Sequence, residues 1–327
     1  MVIFMNKKVV VFGGGTGISF ILRGLKEFPV DITAVITVAD NGRSTGKLRN
    51  EFNIPAVGDI RQVITSLSRV NQDIKNLLSY RFNTSSDLDG HALGNLMLVA
   101  DMKMTGSLTK AIENLSELLG VEHKIYPITE DNVTIMAETE SGKIIEGEEE
   151  ITECLEKKKN LFYKSEPSIC KEAIKAVEEA DLIILSVGSL YTSVLPNIIG
   201  TDMKKAISKS KAKIMYVCNA MTQPGETDGF AVSDHLKVLN KYLLNRNVDV
   251  VIASNTEIPK DLLERYHRAE EKEQVVIDRK NIKDLGTKLI EGDLIILNDD
   301  NTLKHNSILL ASLIFSYMMR NDYVIRN

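Results

Sequence analysis

The chain has 327 residues, and 40 Lys and Arg against 45 Asp and Glu leave a formal charge of −5. With 43% hydrophobic and 26% charged residues it can bury a substantial core, which excludes a disordered chain. The acidic balance, the lack of Trp and an aromatic content of only 6% exclude the basic, stacking surface that general nucleic-acid binding requires. Cys154, Cys170 and Cys218 are scattered and form no C-x-x-C pair, so they read as reduced thiols in the cytoplasm. In the segment Met1 to Lys8 the lysines follow the apolar stretch, the reverse of a secretory signal. The longest apolar stretch, Ser307 to Met319, is shorter than the ~20 residues that span a bilayer, so no membrane span is expected.

Lys8-Val-Val-Val-Phe12 predicts a buried strand that ends in Gly13-Gly-Gly-Thr-Gly17. Ile18, Leu22 and Leu25 then recur at helical spacing, and Ile32 to Val38 predicts a second strand, closing a β-α-β unit. From Val57 to Leu119 the pattern is mostly helical. Asn132 to Ala137 and Lys143 to Ile145, around Glu140-Ser-Gly142, predict a β-hairpin; the acidic run Glu146 to Glu150 after it reads as a solvated turn. Residues 124–164 are therefore expected to form a small β-rich insertion. Parallel-strand runs resume at Leu182 to Val187, Lys213 to Cys218, Val248 to Ala253 and Leu294 to Leu297. Helices are expected between them at Ser233 to Leu244, Lys260 to Glu270 and Asn306 to Met319. The expected fold is doubly wound α/β, with a mostly parallel sheet.

In such a sheet, ligands bind beyond the carboxyl ends of the strands. Gly13, Gly14, Gly15, Thr16 and Gly17 let backbone approach a ligand and offer an anion the free N–H groups of the next helix. As a dinucleotide fingerprint the loop is imperfect, because its third glycine position falls on Ile18. Asp40 follows the second strand, and Asn41-Gly-Arg-Ser-Thr-Gly-Lys47 fails as a P-loop by one residue of spacing and by Leu48. Even so, Arg43, Ser44, Thr45, Lys47 and Arg49 form a donor set suited to a phosphate or diphosphate. Asp59 reads by itself as a helix cap, and no catalytic triad or zinc motif is present in the sequence. The loops that carry Gly13 and Gly225 are expected to share one rim, so residues 1–327 are expected to form a single large domain.

The ordered motifs Val11 to Gly17, Thr37 to Gly46, Val57-Gly-Asp-Ile-Arg61, Gly90-His-Ala-Leu-Gly-Asn95, Gly188 to Ser193 and Asn219 to Thr227 resemble the YvcK-type gluconeogenesis factors. Those factors belong to the 2-phospho-L-lactate transferase-like superfamily. The resemblance implies a Rossmann-like three-layer α/β/α fold and binding of a UDP-sugar, notably UDP-N-acetylglucosamine, with Mg2+ as a candidate cofactor. It also implies a cytoplasmic regulator linking gluconeogenic growth to peptidoglycan precursor supply and cell shape. A protein partner in cell-wall precursor synthesis would follow, and room is left for a homo-oligomer. Carried over, the glycine loop, Asp40, Asn41, Arg43, Ser44 and Asn95 would face diphosphate and sugar. Ser189, Tyr191, Thr192 and Ser193 would line the nucleotide side, and Asn219, Gln223 and Gly225 would close it. Tyr266 would stack on the base. Lys304-His-Asn306 stands where the family shows an Arg-His-Asp stretch, so Lys304 keeps the charge without the planar fork of arginine. The alternative is a phosphoryl- or glycosyl-type transferase in which Asp40 and Asp59 hold a metal over the diphosphate. An NAD(P)-dependent oxidoreductase rests on the glycine loop and Asp40 alone.

Overall fold

The run from Val9 to Phe12 has only apolar, mostly β-branched side chains, which suit a strand covered on both faces. It forms β1 (Lys7–Gly13), with Val9 to Phe12 fully buried. The computed structural model describes residues 6–297 and 303–325; Met1 to Met5 of the N-terminal reading lie outside the described residues. Helix α1 (Gly15–Leu25) buries Ile18, Ile21, Leu22 and Leu25, one face at helical spacing. β2 (Val30–Ile36) then pairs parallel with β1 along its whole length.

Five helices follow: α2 (Arg43–Phe52), α3 (Gly58–Leu67), α4 (Gln72–Ser79), α5 (Leu93–Thr105) and α6 (Leu108–Leu118). They lead to β3 (Lys124–Pro127), parallel to β2. The insertion comes next, as β4 (Ile135–Thr139), β5 (Ile144–Glu146), α7 (Glu148–Glu153) and β6 (Lys158–Tyr163). Its three strands form an antiparallel sheet in the order β5-β4-β6, so the expected hairpin gains a third strand. The acidic run is also more than a turn. Glu148 to Glu150 form the first turn of α7, where carboxylates complement the positive end of the helix.

The chain returns to the main sheet through α8 (Lys171–Glu178), β7 (Leu182–Leu185), α9 (Thr201–Lys209), β8 (Lys213–Val217), α10 (Val232–Tyr242) and β9 (Val250–Ser254). α11 (Lys260–Glu270), α12 (Arg279–Asp284) and β10 (Lys288–Gly292) complete it. The fourth parallel strand of this half is thus Lys288–Gly292, not Leu294–Leu297. As the edge strand it is only partly buried, so it lacks the continuous apolar run that marks its neighbours. The expected segment instead forms β11 (Ile295–Leu297), antiparallel to β12 (Leu303–His305) in a separate two-stranded sheet, before α13 (Ser307–Ile325).

The main sheet has seven strands in the order β10-β9-β8-β7-β1-β2-β3, and every neighbouring pair is parallel. Helices flank it in a three-layer α/β/α arrangement; α1 packs on α3 and α13, and α8 on α9. The chain builds outward from β1 in one direction and from β7 in the other. Strand order therefore reverses between β1 and β7, where the loops leaving their carboxyl ends diverge and open a crevice.

Candidate functional site

The glycine loop and the Gly188 loop leave the adjacent strands β1 and β7 side by side. A cavity of about 410 Å3 lies between them, lined by Gly14 to Gly17 on one side and Gly188, Ser189, Thr192 and Ser193 on the other. Two glycines are required by this closeness. A Cβ at Gly17 would run into the Val187 carbonyl, and one at Gly14 would lie 2.6 Å from Asp59 Oδ2 and 2.8 Å from Thr37 Cγ2. Gly14 gives the start of α1 no side-chain cap of its own, and its first turn holds no acidic residue. Its positive end faces the cavity. Thr37, 3% exposed, lines the same space, and its hydroxyl has no partner among the described residues.

Carboxylates crowd the floor. Asp40, Asp59 and Glu148 line the cavity together with Thr152 and Gln223. Burial, then the neighbouring charges of Asp40 and Glu148, pushes the Asp59 carboxyl up from 3.8 to about 7, against a bond from the Gly15 N–H and the charge of Arg61. Glu148 is also raised, by burial and by Asp40, against the hydroxyls of Thr192 and Thr152. Asp40 Oδ1 accepts from the Gly42 N–H at 2.9 Å, which fixes its loop. Among the described residues no three His, Cys, Asp or Glu side chains form a group able to hold a metal ion. The donors fit a different kind of site. Two hard carboxylates beside an anion-accepting helix end suit a divalent cation that keeps waters and takes its remaining oxygens from a bound phosphate.

Several residues expected to touch ligand are spent on holding these loops. Asn41 Oδ1 accepts from the Glu149 N–H at 2.9 Å and its Nδ2 donates to Glu150 Oε2 at 3.0 Å, so it fastens α7 of the insertion across the cleft. Arg49, 6% exposed, turns inward and donates to the carbonyls of Ala39 and Asp40, each at 2.8 Å, and to Asn132 Oδ1. Asn95 is buried and accepts from Arg61 Nε at 2.9 Å. Ser189 donates to Glu226 at 2.8 Å and accepts from the Thr192 N–H and hydroxyl, which shapes the loop. Tyr191 is buried and donates to the Lys158 carbonyl at 2.9 Å. Asn219 brackets Gly188, accepting from its N–H and donating to its carbonyl. Gly225, at φ +75°, presents its carbonyl to Lys158 Nζ at 2.8 Å.

Ser44 faces an adjoining space and accepts from Arg81 Nη1 at 3.2 Å. The Arg43 side chain lies outside the described residues. Tyr266 and Lys304 do not line the cleft. The Tyr266 hydroxyl instead accepts from the Leu303 N–H at 3.0 Å, tying α11 to the strand that carries Lys304. Thr37, Arg81, Glu148 and Thr152 were not singled out by sequence reasoning. Only Glu148 left a signal, the acidic run that opens α7.

These features define a doubly wound α/β protein with a glycine-loop cleft at its switch point. The chain belongs to the 2-phospho-L-lactate transferase CofD family, whose family model matches residues 9–295. It is 41% identical over 308 residues to the gluconeogenesis factor of Bacillus subtilis (strain 168), covering 94% of this chain and 96% of that protein. The gluconeogenesis factor of Halalkalibacterium halodurans is 40% identical over 303 residues, covering 92% and 94%. Among solved structures, protein BH3568 from Bacillus halodurans superposes with a TM-score of 0.92 at 39% identity, over 95% of this chain and 100% of that one. No helix among the described residues is long and apolar enough to cross a membrane.

Proposed function

We propose that the chain is a cytoplasmic UDP-sugar-binding regulator, with UDP-N-acetylglucosamine as its ligand. It would link gluconeogenic growth to cell-wall precursor supply and cell shape through a protein partner. One observation carries the reading: the glycine-rich N-terminus of α1, met by the Asp59 carboxyl at Gly15 and given no cap by its own Gly14, faces a cavity whose buried Thr37 hydroxyl has no partner among the described residues. A diphosphate meets that geometry through backbone N–H groups. It also meets the carboxylates of Asp40, Asp59 and Glu148, so a compensating charge is needed. Asp40 and Asp59 would hold a Mg2+ ion that supplies it.

A thermal-shift panel of UDP-sugars, UDP, GDP and NAD, each with and without Mg2+, tests this, because a ligand that binds only the folded state raises the melting temperature. The expected result is the largest shift with UDP-N-acetylglucosamine and Mg2+. The reading fails if that ligand gives no shift at millimolar concentration.

The second reading is a metal-dependent transferase. The family description and the Asp59 carboxyl, poised near neutral pH, favour it. In that case Asp40 and Asp59 are the catalytic candidates, and Asp40→Asn abolishes turnover of a UDP-sugar or GDP conjugate in the presence of Mg2+. Full turnover by this variant removes Asp40 from that role.

A further inference from the structure

The cleft continues past the glycine loops. Asp40, Glu148 and Thr152 line both the first cavity and a second one of about 640 Å3. The second space lies against α2, the Arg81–Gly90 segment and the acidic side of α7. Its donors are Ser44, Thr45, Lys47 and Arg81; Asp89 and Glu153 are among its acceptors.

Arg81 is held rather than loose. Its backbone bridges Ala92, and Nη1 donates to Ser44 Oγ at 3.2 Å and to the Gly90 carbonyl at 2.7 Å. Its Nε and Nη2, the Lys47 ammonium and the Glu153 carboxylate have no partner among the described residues. Among the described residues carboxylates outnumber cations around this space, with Asp40, Asp89, Glu148, Glu149 and Glu153 against Lys47 and Arg81. A second phosphate or carboxylate group is therefore disfavoured here. A neutral hydroxyl-rich group is well matched, because each hydroxyl can donate to a carboxylate and accept from a cation.

We infer that this compartment holds the neutral sugar of a sugar nucleotide, with Arg81 and Glu153 as specificity-determining contacts. The inference rests on the UDP-sugar reading and says where that ligand is discriminated. The diphosphate stays in the first cavity, and the sugar passes Asp40 and Thr152 into the second.

Calorimetric titration of the wild type, Arg81→Leu and Glu153→Gln with UDP and with UDP-N-acetylglucosamine tests it. The exposed Glu153 side chain makes no hydrogen bond or ion pair among the described residues, so its variant reports on ligand with little effect on the fold. The wild type should prefer the sugar nucleotide, and each substitution should weaken it about tenfold while UDP affinity stays within about twofold. The wild type should also bind UDP-glucuronate more weakly than UDP-glucose. An unchanged preference in both variants, or equal losses for UDP and the sugar nucleotide in both, overturns the inference. Failure of the wild type to bind either ligand overturns the UDP-sugar reading itself, and this inference with it.

Discussion

The two ends of the main sheet each carry a cavity of similar size, and their electrostatics differ. At the amino end, a space of about 470 Å3 is floored by Val9, Val10 and Ile32. Much of its charge is paired: Lys8 Nζ lies 2.8 Å from Glu179 Oε2, and this bond holds the Glu179 carboxyl below its usual range. The Lys8 N–H also donates to Asp181 at 2.8 Å. At the carboxyl end, Asp40, Asp59 and Glu148 crowd one another, two of them are pushed up, and the buried Thr37 hydroxyl lacks a partner among the described residues. Size alone would not separate the two. Unmatched charge and unspent hydrogen bonds are what favour the carboxyl end as the ligand site in the proposed reading.

The sharpest way to break this contrast is to close the carboxyl-end cleft. Gly17→Ala drives a methyl group into the Val187 carbonyl and should cost about 3 kcal/mol in a denaturant melt, with nucleotide-sugar binding lost as well. Lys158→Met acts one step away. Lys158 is 5% exposed and donates to the carbonyls of Gly225 and Cys154, so its loss strands both and should destabilise by about 2 kcal/mol.

Asp59→Asn should do the opposite. The folded protein holds a proton on Asp59 up to about pH 7, whereas an ordinary aspartate releases it near 3.8. Between those values the unfolded chain binds fewer protons, so stability falls as pH rises from about 4 to about 7 and stays low above it. The variant is thus expected to melt higher than wild type at pH 8, by about 1–2 kcal/mol, with the gain fading to nothing at pH 4. A constant difference at both pH values would contradict the crowding of carboxylates. The smallest effect belongs to the amino end: Lys8→Met should leave nucleotide-sugar binding and melting temperature unchanged within error, since the pair is exposed.

The fold is most legible in the sequence where a residue's role depends on pattern. β1, β7, β8 and β9 are apolar runs because both faces are covered, and the glycine loop announces itself through side chains it lacks. The motifs also resembled the family that the comparisons then showed. β10 was missed because an edge strand needs no continuous apolar face. Asn41 and Arg49 are the right chemical types for a phosphate site, yet Asn41 is bound to α7 and Arg49 to the carbonyls of its own loop. Direction is a tertiary property. Glu148 reaches the cleft only because the insertion folds back across it, and nothing local to residues 146–150 encodes that return. Arg81 likewise becomes a site residue only once its bridge to Ala92 sets it beside Ser44.

A crystal structure of the protein with UDP-N-acetylglucosamine and Mg2+ tests the central claim most directly. The account predicts diphosphate density at the N-terminus of α1, between the loops that follow β1 and β7, with the sugar toward Arg81. Density instead in the Lys8–Glu179 cavity at the amino end of the sheet, with the switch-point cleft empty, would contradict it.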